Sequence, residues 1–193
     1  DALRYEVGMT LFEKLQADEK CTATMKTMAS TLPSVTQYGM AALLPHRTLE
    51  LTEDYSVLVD GQKVETLEQR QAVLQKYNPA SCSVQYDDIK DLSVKDLQAM
   101  FTRQEVVYVY HNQIDARGDK ANTENEVFNA CEEAVEEIST LIRRLTSANR
   151  TRFIITADHG FQYRRNKLTE SDKIVSVASA ASVASRRYLL ADE

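Results

Sequence analysis

Apolar positions recur at helical spacing from the start of the chain, at Leu3, Val7, Leu11, Phe12 and Leu15, and this stripe predicts a first helix with Asp1 at its N-cap. Cys21 to Met28 is rich in Thr and alternates weakly, the pattern of a strand. It leads into a turn at Pro33-Ser34-Val35-Thr36, then a short helix from Gly39 that Pro45 stops. Val57-Leu58-Val59 ahead of Asp60-Gly61 predicts a short strand ending in a turn, and Leu67, Val73, Leu74 and Tyr77 mark a helix over 66–77. Ser93, with Asp96 three residues on, opens a further helix through Met100.

The second half is more sharply patterned. Val106-Val107-Tyr108-Val109-Tyr110 is the unbroken β-branched and aromatic run expected of a strand buried on both faces of a parallel sheet. Thr123 and Glu126 form a capping-box pattern ahead of Val127, Phe128, Cys131, Ala134, Val135, Ile138, Leu141, Ile142 and Leu145, which predicts a long helix with a solvated, Glu-rich outer face. Phe153-Ile154-Ile155-Thr156 reads as a second buried strand, so 106–156 is expected to form a β-α-β unit. The fold class is α/β, a three-layer α/β/α sandwich around a largely parallel central sheet. Residues 46–105 read as an insertion or cap region and 164–185 as a loop followed by an Ala/Ser-rich stretch.

Composition narrows the class. The 193 residues are 43% hydrophobic and 27% charged with 5 Gly and 3 Pro, the balance of a folded domain. Twenty-nine acidic against 23 basic side chains give a charge of −6, so no diffuse positive field is available to grip nucleic acid; any DNA contact is local or made through a metal. Cys21, Cys82 and Cys131 are odd in number and form no CxxC pair, which argues against a disulfide framework or a thiolate zinc site and suits the cytoplasm. No apolar run reaches the ~20 residues a membrane span needs. The opening Asp1-Ala2-Leu3-Arg4 carries neither Met nor a signal pattern, as expected of a core segment from a longer multidomain protein.

Candidate chemistry collects where strands are expected to end, the edge at which open α/β sheets bind ligands. After 106–110 come His111, Asp115 and Asp119; after 153–156 come Asp158, His159 and Gly160. Carboxylates and neutral imidazoles suit zinc or manganese, and two such clusters suggest two metals. Taken singly, Asp158 reads better as a cap, Gly160 as a turn glycine and His111 as a satisfied loop residue; their coincidence at adjacent strand ends favours a metal site. Thr36, just ahead of a short helix, is the candidate nucleophile, although on spacing alone it is an N-cap threonine, and it gains chemical meaning only beside a metal. Arg143-Arg144, Arg164-Arg165 and Arg186-Arg187 fit solvated surface better than phosphate contacts, and His46 reads as a loop histidine.

These residues also form a pattern. Asp1-Ala2-Leu3-Arg4-Tyr5-Glu6, Leu32-Pro33-Ser34-Val35-Thr36 with Gly39-Met40-Ala41-Ala42-Leu43-Leu44-Pro45, and Thr156-Ala157-Asp158-His159-Gly160-Phe161 resemble the alkaline phosphatase superfamily, and within it the PglZ family of BREX bacteriophage-defence systems. Asp115-Ala116-Arg117-Gly118-Asp119 resembles the superfamily's Asp-x-x-Gly-His element, with Asp119 in place of the terminal His. No histidine follows His159 to supply a further ligand.

The resemblance implies an alkaline phosphatase-like core over 1–193 and a metal-dependent phosphodiesterase or phosphatase, extending to a DNA-nicking nuclease, with Thr36 as nucleophile. Asp1, Thr36, Asp158 and His159 would hold one divalent ion, and Asp115, Asp119 and His111 a second. Zinc is the first expectation, with manganese or magnesium as alternatives. Arg4 and Asn112 would contact phosphate. Other BREX proteins and DNA are the implied partners. The competing reading is a non-catalytic metal-binding scaffold that recruits partner proteins; a phosphomutase-like transferase ranks below both.

Overall fold

The computed structural model describes residues 1–118, 126–162, 183–184 and 188–190. Helix α1, Tyr5–Gln16, buries Leu11 as its stripe predicts. Its N-cap is Arg4, in extended conformation and without a side-chain cap; Asp1 is not the cap, because its carboxylate turns toward the site described below. Cys21 to Met28 forms no strand, since a Thr- and Lys-rich stretch with weak alternation has too little apolar surface to dock as one. Helix α2, Thr36–Ala42, buries Tyr38, Gly39, Met40 and Ala41.

Strands β1, Leu49–Leu51, β2, Val57–Val59, and β3, Gln62–Lys63, make an antiparallel sheet in the order β1-β2-β3. Asp60 and Gly61 carry the β2–β3 turn with φ of 49° and 75°, the positive values that a tight two-residue hairpin loop requires. Helix α3, Leu67–Tyr77, starts from a complete Thr66/Gln69 capping box. Together β2, α2 and α3 enclose a core of Tyr38, Ala41, Leu44, Val57, Val59, Val64, Val73 and Leu74.

Strand β4, Ser81–Gln85, is followed by α4, Tyr86–Ile89, and α5, Val94–Phe101, before β5, Val106–Tyr110, returns parallel to β4 in the register Ser81↔Val106 to Gln85↔Tyr110. The β-α-β unit is therefore 81–110, not 106–156. Strand β4 escapes a hydrophobicity reading because Ser81 and Ser83 occupy two of its three buried positions; their hydroxyls donate to Asn78 O and Leu67 O. Strand β5 is half-buried rather than covered on both faces, since among the described residues it pairs with β4 alone. Phe153 to Thr156 forms no strand, and Ile154 is 95% exposed, because no described element covers it.

Helix α6, Gln113–Gly118, follows β5, and α7, Val127–Ser147, starts from Glu126 without a side-chain cap; Thr123 of the expected capping box lies outside the described residues. Helix α7 packs against α1, α5 and α6. Its C-terminal half joins β4, α4 and α5 around Val84, Ile89, Leu97, Phe101, Leu141 and Leu145, and its N-terminal half forms a smaller core with Ala2 and Ile114. Short strands β6, Val183–Ala184, and β7, Leu189–Leu190, pair antiparallel. The described residues thus give a mixed α/β fold with one parallel pair, and do not by themselves make a three-layer sandwich over a wide parallel sheet. Among them, no helix is long and apolar enough to cross a membrane.

Candidate metal centre

Three segments converge at one point: the start of the chain, the first turn of α2, and the loop after residue 157. The Asp1 nitrogen donates to His111 O at 2.6 Å, tying the first residue to the end of β5. Ala2 then takes a φ of 59°, a left-handed conformation that non-glycine residues rarely adopt, and its N–H donates to Asp158 Oδ1 at 3.2 Å. With the backbone so turned, Asp1 Oδ1 stands 3.3 Å from His159 Nε2. Asp158 Oδ2 stands 3.5 Å from the same nitrogen. The hydroxyl of Thr36 is 3.0 Å from His159 Nε2 and 3.5 Å from Asp1 Oδ1.

The donor set suits a cation. Gly160 O lies 2.8 Å from His159 Nδ1, which assigns the ring proton to that nitrogen and leaves Nε2 a lone pair facing the cluster. Asp1, Asp158 and His159 each offer one ligand atom, all within 4.8 Å of one another. These atoms are all acceptors. Asp158 is fully buried, and among the described residues its Oδ2 has no hydrogen-bond partner, a desolvation penalty that a bound cation would remove. Carboxylates with a neutral imidazole are ligands that zinc and manganese accept.

Two supporting residues carry no individual role in the sequence reading. Gly39 packs so closely on Asp158 that an added Cβ would lie 2.3 Å from Asp158 O and 2.8 Å from Asp158 Cβ. Ser30 Oγ donates to Asp158 O at 2.9 Å. A glycine inside a helix is a sequence signal of close approach, because glycine weakens a helix otherwise. Thr36 is the first helical residue of α2, with Val35 as N-cap, so its hydroxyl faces His159 and Asp1 instead of capping the helix.

The other expected residues fall around this cluster in different ways. Asp115, on α6, has Oδ1 3.9 Å from His159 Nε2, at the cluster's edge. His111 turns Nε2 to Glu137 Oε2 at 2.8 Å and packs on Tyr86 with ring centroids 4.6 Å apart; burial pushes its pKa down, with Glu137 opposing. Asp119 lies outside the described residues. Arg4 pairs with Glu6 at 2.6 Å and lies over the Phe161 ring, 5.0 Å from its centroid. Asn112 is exposed, and its carbonyl accepts from Ala116 N. His46 bonds Leu44 O as a loop histidine. Arg144 holds the carbonyls of Lys90 and Leu92, while the pairs at 164–165 and 186–187 lie outside the described residues.

Residues 1–193 match the family described as the BREX system PglZ alkaline phosphatase-like domain. The chain is 37% identical over 194 residues to the alkaline phosphatase-like protein PglZ of Bacillus cereus (strain H3081.97), covering 100% of the chain and 23% of that protein. It is 36% identical over 176 residues to the alkaline phosphatase-like protein BrxZ of Escherichia coli O9:H4 (strain HS), covering 90% of the chain and 20% of that protein. It therefore spans under a quarter of the length of these curated relatives. No solved structure matches it. The chain belongs to the PglZ family of alkaline phosphatase-like domains of BREX systems.

Proposed function

We propose that this domain is a metal-dependent phosphoryl hydrolase, acting on phosphodiesters or phosphomonoesters and including the nicking of DNA, within a bacterial antiphage defence complex. The observation that carries the reading is the convergence of Asp1 and His159 on the Thr36 hydroxyl beside Asp158, whose buried Oδ2 has no hydrogen-bond partner among the described residues. Asp1, Asp158 and His159 would hold one divalent ion; Asp115, with Asp119, would contribute to a second, while His111 turns its imidazole Nε2 to Glu137 instead. Bound there, a divalent ion supplies Lewis acidity that lowers the hydroxyl pKa and offsets charge on the phosphoryl oxygens.

The chain's own groups do the rest. Thr36 Oγ1 attacks phosphorus and expels the leaving alcohol, forming a phosphothreonine ester that water then hydrolyses. Gly160 O holds the proton on His159 Nδ1, so Nε2 stays unprotonated toward the site. Gly39 and Ser30 hold the Asp158 backbone in place. Family membership supports the reaction type and the BREX proteins as partners; the relatives' much greater length leaves substrate selection and DNA contact to be tested in the whole protein.

The test compares the full-length protein with Thr36→Ala and Asp158→Ala. It follows hydrolysis of bis(4-nitrophenyl) phosphate and 4-nitrophenyl phosphate and the nicking of supercoiled plasmid, with zinc, manganese or magnesium added. Both substitutions should reduce a metal-dependent rate to background. Rates unaffected by either substitution would refute the catalytic reading, and metal binding without turnover would leave the scaffold reading in its place.

A further inference from the structure

The Glu-rich face of α7 was expected to be a solvated surface, yet three of its carboxylates reach segments that carry the candidate metal centre. Glu133 pairs with Arg117 of α6 at 2.5 Å, Glu136 with Lys14 of α1, and Glu137 with His111 just past β5 at 2.8 Å. The first two pairs are largely exposed, where solvent screens most of an ion pair's worth. The third differs. His111 is 12% exposed, wedged between Glu137 and the Tyr86 ring, and its own carbonyl accepts from the Asp1 nitrogen.

Two carboxylate-bearing segments therefore hang from His111. Asp1 is tied to its carbonyl, and Asp115 follows four positions later on α6, whose first turn is closed by Ala116 N donating to Asn112 O. A shift of His111 would move both carboxylates relative to His159. Among the described residues the imidazole ring has one polar partner, the Glu137 carboxylate.

We propose that Glu137 is a positioning residue of the metal centre: by fixing His111 it sets the places of Asp1 and Asp115, and so the affinity of the site for a divalent cation. This rests on the metal-binding reading above. His111 then acts through its main chain, not as a ligand, and α7 is the frame on which the centre is hung. Outer-shell groups that fix the ligands of a metal typically contribute about 10–100-fold in metal affinity or activity.

The test measures binding of manganese(II) and zinc(II) to the full-length protein by isothermal titration calorimetry, with Asp158→Ala defining which bound ion belongs to the site. Glu137→Ala should weaken that ion by about 10-fold or more, and His111→Ala by a similar factor. The double variant should be no weaker than either single one, because both remove one linkage. Glu137→Gln keeps an acceptor for the imidazole N–H and should restore most of the affinity, a recovery that general destabilisation would not give. Unchanged affinity in Glu137→Ala, or equal loss in Glu137→Gln, overturns the proposal. So does loss of an ion in His111→Ala with Glu137→Ala intact, which makes His111 a ligand. If the unsubstituted protein binds neither ion in a manner dependent on Asp158, the metal reading itself has failed.

Discussion

At Gly39 one methyl group decides whether α2 can reach the Asp158 segment. A Cβ there would meet the Asp158 carbonyl at 2.3 Å, backbone against backbone, with no flexible side chain to give way. Gly39→Ala should therefore cost about 1–3 kcal/mol of stability despite alanine's better helix propensity, and should also lower metal affinity; chemical denaturation and calorimetry check the two effects separately. Asp158 makes the opposite prediction. Its buried Oδ2, without a hydrogen-bond partner among the described residues, costs about 1–3 kcal/mol in the ion-free state, so Asp158→Asn should raise the melting temperature of chelated protein while abolishing tight metal binding. A lower melting temperature for that variant would mean that the carboxylate is satisfied without an ion. Much of this site was legible in the sequence, because acid, imidazole and hydroxyl chemistry is written in residue types. What was not legible is the support: Glu137 and Gly39 act through position, and a Glu-rich helical face carries no mark of which carboxylates will find partners.

At the scale of elements, the hairpin and α3 are joined through Asp60. Its carboxylate accepts from the Arg47 and Thr48 N–H groups and from the Tyr77 hydroxyl, with the Tyr77 bond the largest cause holding its pKa below the ordinary 3.8. A carboxyl whose folded pKa is depressed contributes stability above its unfolded value, and loses it as the pH falls toward the folded one. Tyr77→Phe should raise the Asp60 pKa, followed by NMR titration, and make stability fall less steeply below about pH 4. Thr66→Ala removes the side-chain half of the α3 capping box and should cost about 1 kcal/mol, read as a lower urea midpoint at unchanged slope. Helices α1, α3, α5 and α7 were legible because apolar spacing and capping residues specify them locally. Strand β4 was not, since polar serines fill buried positions in it, their hydroxyls satisfied by the Asn78 and Leu67 carbonyls, and the apolar 153–156 run misled because hydrophobicity alone cannot say which neighbour will cover it.

For the molecule as a whole, three acceptor atoms within 4.8 Å of one another are a cost of folding while no cation is present and a gain once one binds. A ligand that binds only the folded state stabilises it by about 2.7 kcal/mol at a concentration 100-fold above its dissociation constant. Chelation should accordingly lower the melting temperature of the unsubstituted protein and leave Asp158→Ala nearly unmoved. A calorimetric scan with and without chelator decides it; equal shifts in the two proteins would place the ion elsewhere. The same crowding bears on the domain's survival in a cell. A chain emptied of its ion opens more often and is cut more readily by proteases, so its abundance would follow the supply of the metal.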